Sequence, residues 1–306
     1  MLTLRQRQMC IRDRFNKILS EVSYYKIGGP ADIYIPVTSE SKLDIVFEAL
    51  TREKIPYKIF GSGTNVLFDD MGFRGAVVHI LPEDQAAINC LADSSSEVLL
   101  EVSANISKSA LLLRTLNMGL EGLEFSAGIP GTMGGAICMN AGTKWGSYSD
   151  VVEEVTFFSS KNGYFNKKAN ELSFKYRGLG TRILDEETIV QKVTMRLKKS
   201  NGLDKSRALV DEILTYRGRR QPLEYPNCGS VFKNPPAPQR GAGRLIEACG
   251  LKGLTVGEAQ ISNKHANFIL NLGNAKSSDV KELIEKAREQ VLRKFSVNLE
   301  PEVKLL

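Results

Sequence analysis

The strongest constraint on the fold is an uncharged, glycine-rich stretch at residues 128–142, with the sequence GIPGTMGGAICMNAG. Glycine permits positive φ angles and lets a ligand approach the backbone closely, because no Cβ stands in the way. Such a stretch is typical either of a tight loop between packed elements or of a backbone surface whose N–H groups face a phosphate or a flat ring. It is not a P-loop, because no Gly-Lys-Ser/Thr follows at the required spacing.

Another glycine cluster, Gly61-Ser62-Gly63-Thr64-Asn65, lies earlier in the chain and is called the first glycine cluster below. It follows a predicted short strand at residues 57–60. Small hydroxyl side chains and flexible glycines after a strand favour an anion-binding nest of backbone N–H groups. The cluster lacks the third glycine of the dinucleotide-binding fingerprint, so the sequence does not support a Rossmann domain. Two glycine clusters of neither the Rossmann nor the Walker type indicate one large cofactor that is held at two points.

Short motifs along the chain, in this order, resemble those of the UDP-N-acetylenolpyruvoylglucosamine reductase family. They cover nearly the whole chain from about residue 19 onward, and the ordered set is far more specific than any single motif. The matching segments are KIGGPAD at 26–32, GSGTNVL at 61–67, the stretch at 128–142, YR at 176–177, GSVFKNP at 229–235, ACGLKG at 248–253, KHANF at 264–268 and LEPEV at 299–303.

The resemblance implies an α+β fold in which a two-subdomain FAD-binding module, of the PCMH or vanillyl-alcohol-oxidase type, precedes an α/β substrate-binding domain. We expect FAD-binding subdomain 1 at residues 17–83 and FAD-binding subdomain 2 at 84–200. The substrate-binding domain follows at 201–306, after a polar run, and its C-terminal strand returns to the active site. Residues 1–16 fall outside this pattern, because their arginine-rich start without an apolar segment indicates a disordered or artefactual tail.

The same resemblance implies the reaction. NADPH, as co-substrate, reduces a noncovalently bound FAD. Flavin N5 then passes the hydride to the enolpyruvyl group of UDP-N-acetylglucosamine enolpyruvate, which gives UDP-N-acetylmuramate for peptidoglycan synthesis. The residues expected to bind FAD come from both glycine clusters: Gly61, Ser62, Gly63, Thr64, Asn65, Gly128, Ile129, Pro130, Gly131, Thr132, Gly134, Gly135, Asn140, Ala141 and Gly142.

Hydride addition to an unsaturated carboxylate needs a group that stabilises the enediolate and an acid that protonates the adjacent carbon. The family motifs assign the first role to Arg177, whose guanidinium binds a carboxylate bidentately, and the second to Ser230. Without the family, a surface arginine and a turn serine are the simpler interpretations. Glu302 matches the third catalytic residue, although Glu300 would face the same side of a strand. Cys228 has no histidine beside it and receives no role.

The C-terminal domain is expected to bind the substrate, whose diphosphate requires cations. The resemblance implies that Asn234 is a substrate ligand, and Tyr176 is a further candidate. The candidate cations, each of which could equally be a surface group, are Lys233, Arg244, Lys252 and Lys264. The interval from Arg177 to Ser230 is too short for the tyrosine-bearing loop of one subgroup, so the chain resembles the subgroup without that loop. No His/Asp/Glu cluster has the spacing of a metal site.

Composition excludes several classes of protein. Of the 306 residues, 42% are hydrophobic and 25% charged, and no apolar run approaches the ~20 residues that cross a bilayer. The net charge of +6 includes four arginines and one aspartate within residues 1–14, and the small remaining excess suits a phosphate-bearing substrate better than nucleic acid. Five scattered cysteines without a Cys-x-x-Cys pair indicate reduced thiols. We therefore expect a cytoplasmic monomer that has no membrane or nucleic-acid partner.

Two other functions stay open at this point. One is another FAD-linked oxidase of the same superfamily, acting on sugars or alcohols. Such oxidases often attach flavin through His or Cys, and neither glycine cluster contains a histidine, while Cys138 matches no attachment pattern. The other is a non-enzymatic protein that binds a nucleotide or nucleic acid. The small basic excess and the lack of a basic run with interleaved aromatics argue against it.

Overall fold

The computed structural model describes residues 14–38, 40–159, 161–180 and 188–306. Helices and strands both contribute, which confirms the α+β prediction. The α-helices are α1 (Glu40–Arg52), α2 (Lys108–Asn117), α3 (Met133–Cys138), α4 (Leu203–Arg220), α5 (Ala242–Ala248) and α6 (Ser277–Phe295). The strands are β1 (Arg14–Ile18), β2 (Pro30–Val37), β3 (Tyr57–Phe60), β4 (Val66–Leu67), β5 (Phe73–Ile80), β6 (Ile88–Asp93), β7 (Glu97–Ser103), β8 (Leu120–Glu121), β9 (Gly142–Thr143), β10 (Gly146–Ser147), β11 (Val152–Ser159), β12 (Gly163–Lys168), β13 (Phe174–Lys175), β14 (Gly178–Leu179), β15 (Thr188–Lys199), β16 (Thr255–Val256), β17 (Ala259–Ile261), β18 (Ile269–Asn271) and β19 (Lys304–Leu305).

A four-stranded sheet with the order β1-β2-β5-β3 forms the first unit. Strands β2, β5 and β3 are parallel, and α1 connects β2 to β3 in a β-α-β arrangement. Leu43 and Phe47 of α1 are buried against the sheet. They recur at i and i+4, so they lie on one face of the helix.

Strand β1 begins inside the range that the sequence assigns to a tail. It pairs antiparallel with β2 from Arg14 onward, so residues 14–16 of the predicted tail 1–16 are ordered in a strand. The pairing uses backbone groups, and the mostly exposed side chains of β1 carry no apolar pattern from which it could be predicted. Residues 1–13 lie outside the described residues.

The second unit is a larger antiparallel sheet with the order β12-β11-β15-β7-β6, and β8 also pairs with β15. Strands β11 and β15 are antiparallel neighbours in this sheet. Inward-facing residues of three strands, Leu100, Phe157 and Val193, are buried in one core. This arrangement follows from the alternation of side chains along each strand.

Helix α4 packs on the second unit, although it follows the predicted boundary at residue 200. Its Ile213 is buried in the same core as Leu100. Its Arg217 Nη2 donates to the Gly128 carbonyl at 2.9 Å. A Cβ on Gly128 would lie 2.8 Å from Arg217 Nε, so this glycine is required by the packing of α4.

The third unit packs α5 and α6 with the antiparallel sheet β16-β17-β18. Tyr25, which precedes β2 of the first unit, is fully buried in the core of this third unit. Its hydroxyl donates to the Ile269 carbonyl at 2.8 Å. The buried stripe of α6 agrees with its sequence periodicity and comprises Val280, Leu283, Ile284, Ala287 and Val291.

The C-terminal segment returns to the first unit. Strand β19 pairs in parallel with β4, which directly follows the first glycine cluster at residues 61–65. Nearby, the Asp70 carboxylate accepts hydrogen bonds from the Ser277 and Ser278 amides at the start of α6. The free amides of a helix N-terminus favour an anion at this position. These contacts fix the C-terminal residues beside the glycine cluster.

Candidate active site

The two glycine clusters lie directly against each other. The Thr64 hydroxyl donates to the Pro130 carbonyl at 3.4 Å. A Cβ on Gly61 would lie 2.6 Å from Thr132 Oγ1, and a Cβ on Gly131 would lie 2.9 Å from Thr64 Oγ1. Gly131 also has φ +111°, a conformation that residues with a side chain disfavour. The clusters therefore form one continuous backbone surface that a side chain at either glycine would obstruct.

Only part of the stretch at 128–142 is open backbone. Met133–Cys138 form helix α3, where the glycine content alone predicts a loop. The Gly134 amide donates to the Ala104 carbonyl at 2.7 Å, and a Cβ on Gly142 would lie 2.6 Å from the Gly146 carbonyl oxygen. Gly134 and Gly142 therefore serve packing within the protein. In the part of the stretch before α3, Gly128 packs against Arg217 of α4, while residues 130–132 contact the first glycine cluster.

A buried lysine lies at the junction of the two clusters. Lys108 is the first residue of α2 and is 5% exposed, and its Nζ lies 3.4 Å from the position that a Cβ on Gly131 would occupy. Burial, together with the Arg217 and Arg177 charges, lowers the pKa of Lys108 to about 7. Among the described residues, no carboxylate pairs with its ammonium group. Sequence reasoning missed Lys108, because a single lysine at a helix start carries no signal of burial.

A buried histidine supports the first glycine cluster. His79 Nδ1 shares a 2.6 Å hydrogen bond with the Tyr34 hydroxyl, and its ring stacks on Phe60 at 4.1 Å between centroids. The same ring bonds the Gly61 backbone, and burial lowers the pKa of His79 to about 4. The neutral imidazole of His79 therefore stabilises the backbone where β3 ends and the first glycine cluster begins.

Arg177 connects the second glycine stretch to the C-terminal segment. Its Nη2 donates to the Gly142 carbonyl at 2.7 Å, and its Nε lies 3.1 Å from Glu302 Oε1. The turn that carries Arg177 is held by Asn140, whose Nδ2 donates to the Lys175 carbonyl at 3.1 Å. The side chain of Asn140 therefore positions Arg177, and we find it engaged within the protein rather than open to a cofactor.

Glu302 is a largely buried carboxylate. Its side chain is 14% exposed. Burial raises the pKa of Glu302, while the charges of Arg177, Lys233 and Lys304 oppose that rise. The net upward direction shows that the loss of hydration outweighs the attraction of the cations. The Glu302 carboxylate is therefore protonated more easily than an exposed glutamate.

Backbone contacts bring Ser230 to the same place. The Glu302 amide donates to the carbonyl of Val231, directly after Ser230, at 2.7 Å. Asn65 Nδ2, from the first glycine cluster, donates to the Glu302 carbonyl at 3.1 Å. Within the described part of the chain, the hydroxyl of the half-buried Ser230 has no hydrogen-bond partner. The predicted catalytic residues Arg177, Ser230 and Glu302 thus come from segments that contact one another beside this cluster.

The alternative carboxylate, Glu300, has a different environment. Its Oε1 accepts from Lys233 Nζ at 2.6 Å, and its side chain is 69% exposed. The expectation that Glu300 and Glu302 face the same side holds only for a strand, and residues 299–303 do not form one. Residues 299–303 make only a single bridge, between Pro301 and Phe232, because a proline cannot donate to a strand ladder.

The remaining predicted substrate residues fall into two groups. Tyr176 is exposed beside the Arg177 guanidinium, and Asn234 Oδ1 accepts from the Ala242 amide at the start of α5. Lys252, Lys264 and Arg244 belong to the surface of the third unit. Lys252 pairs with Glu247 at 2.6 Å, Lys264 donates to the Gly218 carbonyl at 2.8 Å, and Arg244 is exposed. Among the described residues, no contact joins this second group to the pair of Arg177 and Glu302.

Other chemistry is not supported at this site. Burial raises the pKa of the Cys228 thiol to about 12, so Cys228 is protonated and a poor nucleophile at neutral pH. Across the ranges described, no three or more His, Cys, Asp or Glu side chains form a group that could hold a metal ion. No helix in those ranges is long and apolar enough to cross a membrane.

Known proteins match this chain along nearly its whole length. Residues 221–306 match the family described as UDP-N-acetylenolpyruvoylglucosamine reductase, C-terminal domain, and residues 31–165 match an FAD binding domain. A UDP-N-acetylenolpyruvoylglucosamine reductase of Gloeobacter violaceus is 37% identical over 290 residues, 94% of each chain. One of Listeria innocua is 38% identical over 296 residues, 96% of this chain and 94% of the relative.

A solved structure agrees with these relatives. The crystal structure of UDP-N-acetylenolpyruvylglucosamine reductase from Thermus caldophilus aligns with a TM-score of 0.79 and 32% identity. The alignment covers 96% of this chain and 98% of that chain. From its sequence motifs, its fold and these matches, the chain belongs to the UDP-N-acetylenolpyruvoylglucosamine reductase family.

Proposed function

We propose that this chain is an FAD-dependent enzyme that uses NADPH to reduce the enolpyruvyl group of UDP-N-acetylglucosamine enolpyruvate to UDP-N-acetylmuramate. Family membership supports the reaction and the cofactor. The observation that carries the proposal is the ion pair of Arg177 with Glu302, held against the glycine-rich backbone surface through the Gly142 carbonyl. A guanidinium and a proton-exchanging carboxylate beside a cofactor cradle are what reduction of an unsaturated carboxylate requires.

The residues at the glycine clusters fit a noncovalent FAD. The absence of a side chain at Gly61 and Gly131 lets the two clusters pack against each other, and the buried Lys108 provides a positive charge at their junction. We assign FAD binding to the backbone of residues 61–65 and 128–132. Helix α3 and Asn140 are assigned to holding this backbone in place through contacts within the protein. When bound, FAD supplies the hydride that originates from NADPH.

Arg177 is proposed to bind the carboxylate end of the enolpyruvyl group. Its guanidinium is a planar cation, so it stabilises the negative charge that develops as the enediolate forms. The contacts to Glu302 and the Gly142 carbonyl fix the plane of the guanidinium before substrate arrives. Such preorganisation avoids the cost of reorienting a long side chain during the reaction.

Ser230 is proposed to donate the proton that completes the reduction, and Glu302 to assist that transfer. A serine hydroxyl is a weak acid, so it donates only to a strongly basic carbon such as that of an enediolate. The hydroxyl is free of protein partners within the described residues. Glu302, rather than Glu300, is assigned because it is buried and contacts Arg177.

The wider assignments rest on the same proposal. We assign residues 17–83 and 84–200 to the FAD-binding subdomains and 201–306 to the substrate-binding domain, with α4 packed on the second subdomain. Tyr176, Lys233 and Asn234 are assigned to the substrate near the reacting group, and the cations Arg244, Lys252 and Lys264 to its UDP portion. The four cysteines within the described ranges are free thiols, which suits the proposed cytoplasmic location. A monomeric state is part of the same proposal.

An absorbance titration tests this function. The purified protein should show flavin absorbance, lose it on anaerobic addition of NADPH, and regain it when UDP-N-acetylglucosamine enolpyruvate is added without oxygen. Release of the flavin by denaturation would show that it is noncovalent. A protein without flavin absorbance would contradict the proposal. A reduced flavin that reoxidises only with oxygen and peroxide release would identify the alternative oxidase.

A further inference from the structure

Lys108 occupies an unusual position for a lysine. Its backbone begins α2, and its amide donates to the Gly131 carbonyl at 2.9 Å. Its side chain then runs inward to the junction of the glycine clusters, where the Cβ position of Gly131 is 3.4 Å from Lys108 Nζ and 2.9 Å from Thr64 Oγ1. The Lys108 ammonium group and the Thr64 hydroxyl therefore both lie close to the Gly131 backbone at this junction.

The charges around Lys108 favour the binding of an anion. The groups that act on its ammonium are Arg217 and Arg177, both cations. No carboxylate of the described residues acts on this ammonium group, and Glu302 pairs with Arg177 instead. A buried ammonium without a counter-charge is costly, and proteins retain such a group where a ligand supplies the missing charge.

We propose that Lys108 binds the diphosphate of FAD at the junction of the two glycine clusters, an inference that rests on the proposed function. The diphosphate is the anionic part of FAD, and the Thr64 hydroxyl and glycine backbone at this point are the partners that phosphate oxygens take. A lysine acts as a point charge suited to phosphate, whereas the planar guanidinium of Arg177 suits the carboxylate of the substrate.

The proposal has a pH signature. In the cofactor-free protein, burial and the Arg217 and Arg177 charges set the pKa of Lys108 to about 7. A bound diphosphate favours the charged ammonium and raises that pKa, so FAD binding takes up a proton above pH 7. FAD affinity should therefore fall as the pH rises above this value. Of the other groups nearby, the arginines stay charged throughout, and the imidazole of His79 under the first cluster stays neutral because its pKa is about 4.

The test compares Lys108→Met with the control Lys205→Met, which removes an exposed lysine at the start of α4. The measurements are the dissociation constant of FAD for the apoprotein, from flavin fluorescence at several pH values, and the midpoint potential of bound FAD. Loss of a charged hydrogen bond should weaken FAD binding roughly 10- to 100-fold in Lys108→Met. The pH dependence should disappear, the potential should stay unchanged, and Lys205→Met should resemble the wild type.

Several outcomes would overturn the proposal. Unchanged FAD affinity in Lys108→Met would contradict it. A lowered midpoint potential in Lys108→Met would also contradict it, because that result would place the cation beside the flavin ring. Removing an uncompensated buried charge should also raise the melting temperature of the apoprotein or leave it unaltered, so a lower melting temperature would indicate a merely structural role. A wild-type protein that binds no FAD at all would instead refute the proposed function.

Discussion

Arg177 Nε lies 3.1 Å from Glu302 Oε1, and this ion pair joins the turn after β13 to the C-terminal segment before β19. Both side chains are largely buried, so the pair is shielded from solvent and salt. Arg177 has φ +57°, an uncommon conformation for a residue with a side chain, and its neighbours hold it there. The pair therefore requires the FAD-binding units and the C-terminus to be folded together.

Arg177→Lys should impair turnover although the positive charge remains. A lysine cannot contact the Gly142 carbonyl, Glu302 and a substrate carboxylate in one plane. We expect a loss of roughly 10²-fold in kcat, measured by NADPH oxidation under steady-state conditions. Arg196→Lys is the matched control, because Arg196 forms exposed ion pairs on β15. Equal activities of the two variants would argue against a role for the guanidinium.

Glu302→Gln and Glu300→Gln should differ sharply. Glu302 is buried against Arg177, whereas Glu300 is exposed beside Lys233. Loss of a proton-exchanging group costs roughly 10²- to 10⁴-fold in rate, so kcat should fall in Glu302→Gln and stay near the wild-type value in Glu300→Gln. The reverse ranking of the two variants would assign the third catalytic role to Glu300.

Glu302 should also affect how the free energy of unfolding depends on pH. Burial raises its folded-state pKa above the ordinary value of 4.5. Between these two pKa values the folded protein binds more protons than the unfolded chain, so this residue's contribution to stability falls as the pH rises through that window. Chemical denaturation across this range should show a flatter profile for Glu302→Gln. A steeper profile for the variant would contradict the pKa direction.

Gly131→Ala should weaken FAD binding. Its Cβ would lie 2.9 Å from Thr64 Oγ1, so one of the two clusters has to shift. Gly163→Ala is the control, since Gly163 has φ +64° but no atom within 4 Å of its Cβ position. Both variants carry backbone strain of about 1–2 kcal/mol, but only Gly131→Ala should lower FAD affinity in a fluorescence titration. A similar affinity for both would show that the cluster junction does not face the cofactor.

Local patterns in the sequence predict much of this fold. The apolar stripes of α1 and α6 and the strands β11 and β15 follow from periodicity, because each has a single buried face. The proposed roles of Arg177, Ser230 and Glu302 depend on ordered motifs, since each residue type alone is usually a surface or turn residue.

Long-range packing could not be predicted in the same way. Helix α3 forms within a glycine-rich segment because Met133 and Ile137 are buried in the core of the second unit, which outweighs the poor helix propensity of glycine. Tyr25 lies in the core of the third unit, far from its own position in the chain. Lys108 is buried only because the second glycine stretch folds over α2, a contact that leaves no trace in its neighbouring residues.

The central claim is that Ser230 protonates the substrate beside a flavin held by the two glycine clusters. Anaerobic stopped-flow measurement of Ser230→Ala tests it most directly, because it separates the two half-reactions. Reduction of the flavin by NADPH should proceed near the wild-type rate, while reoxidation by UDP-N-acetylglucosamine enolpyruvate should slow roughly 10²- to 10⁴-fold. Equal slowing of both half-reactions, or reoxidation at the wild-type rate, would contradict the account.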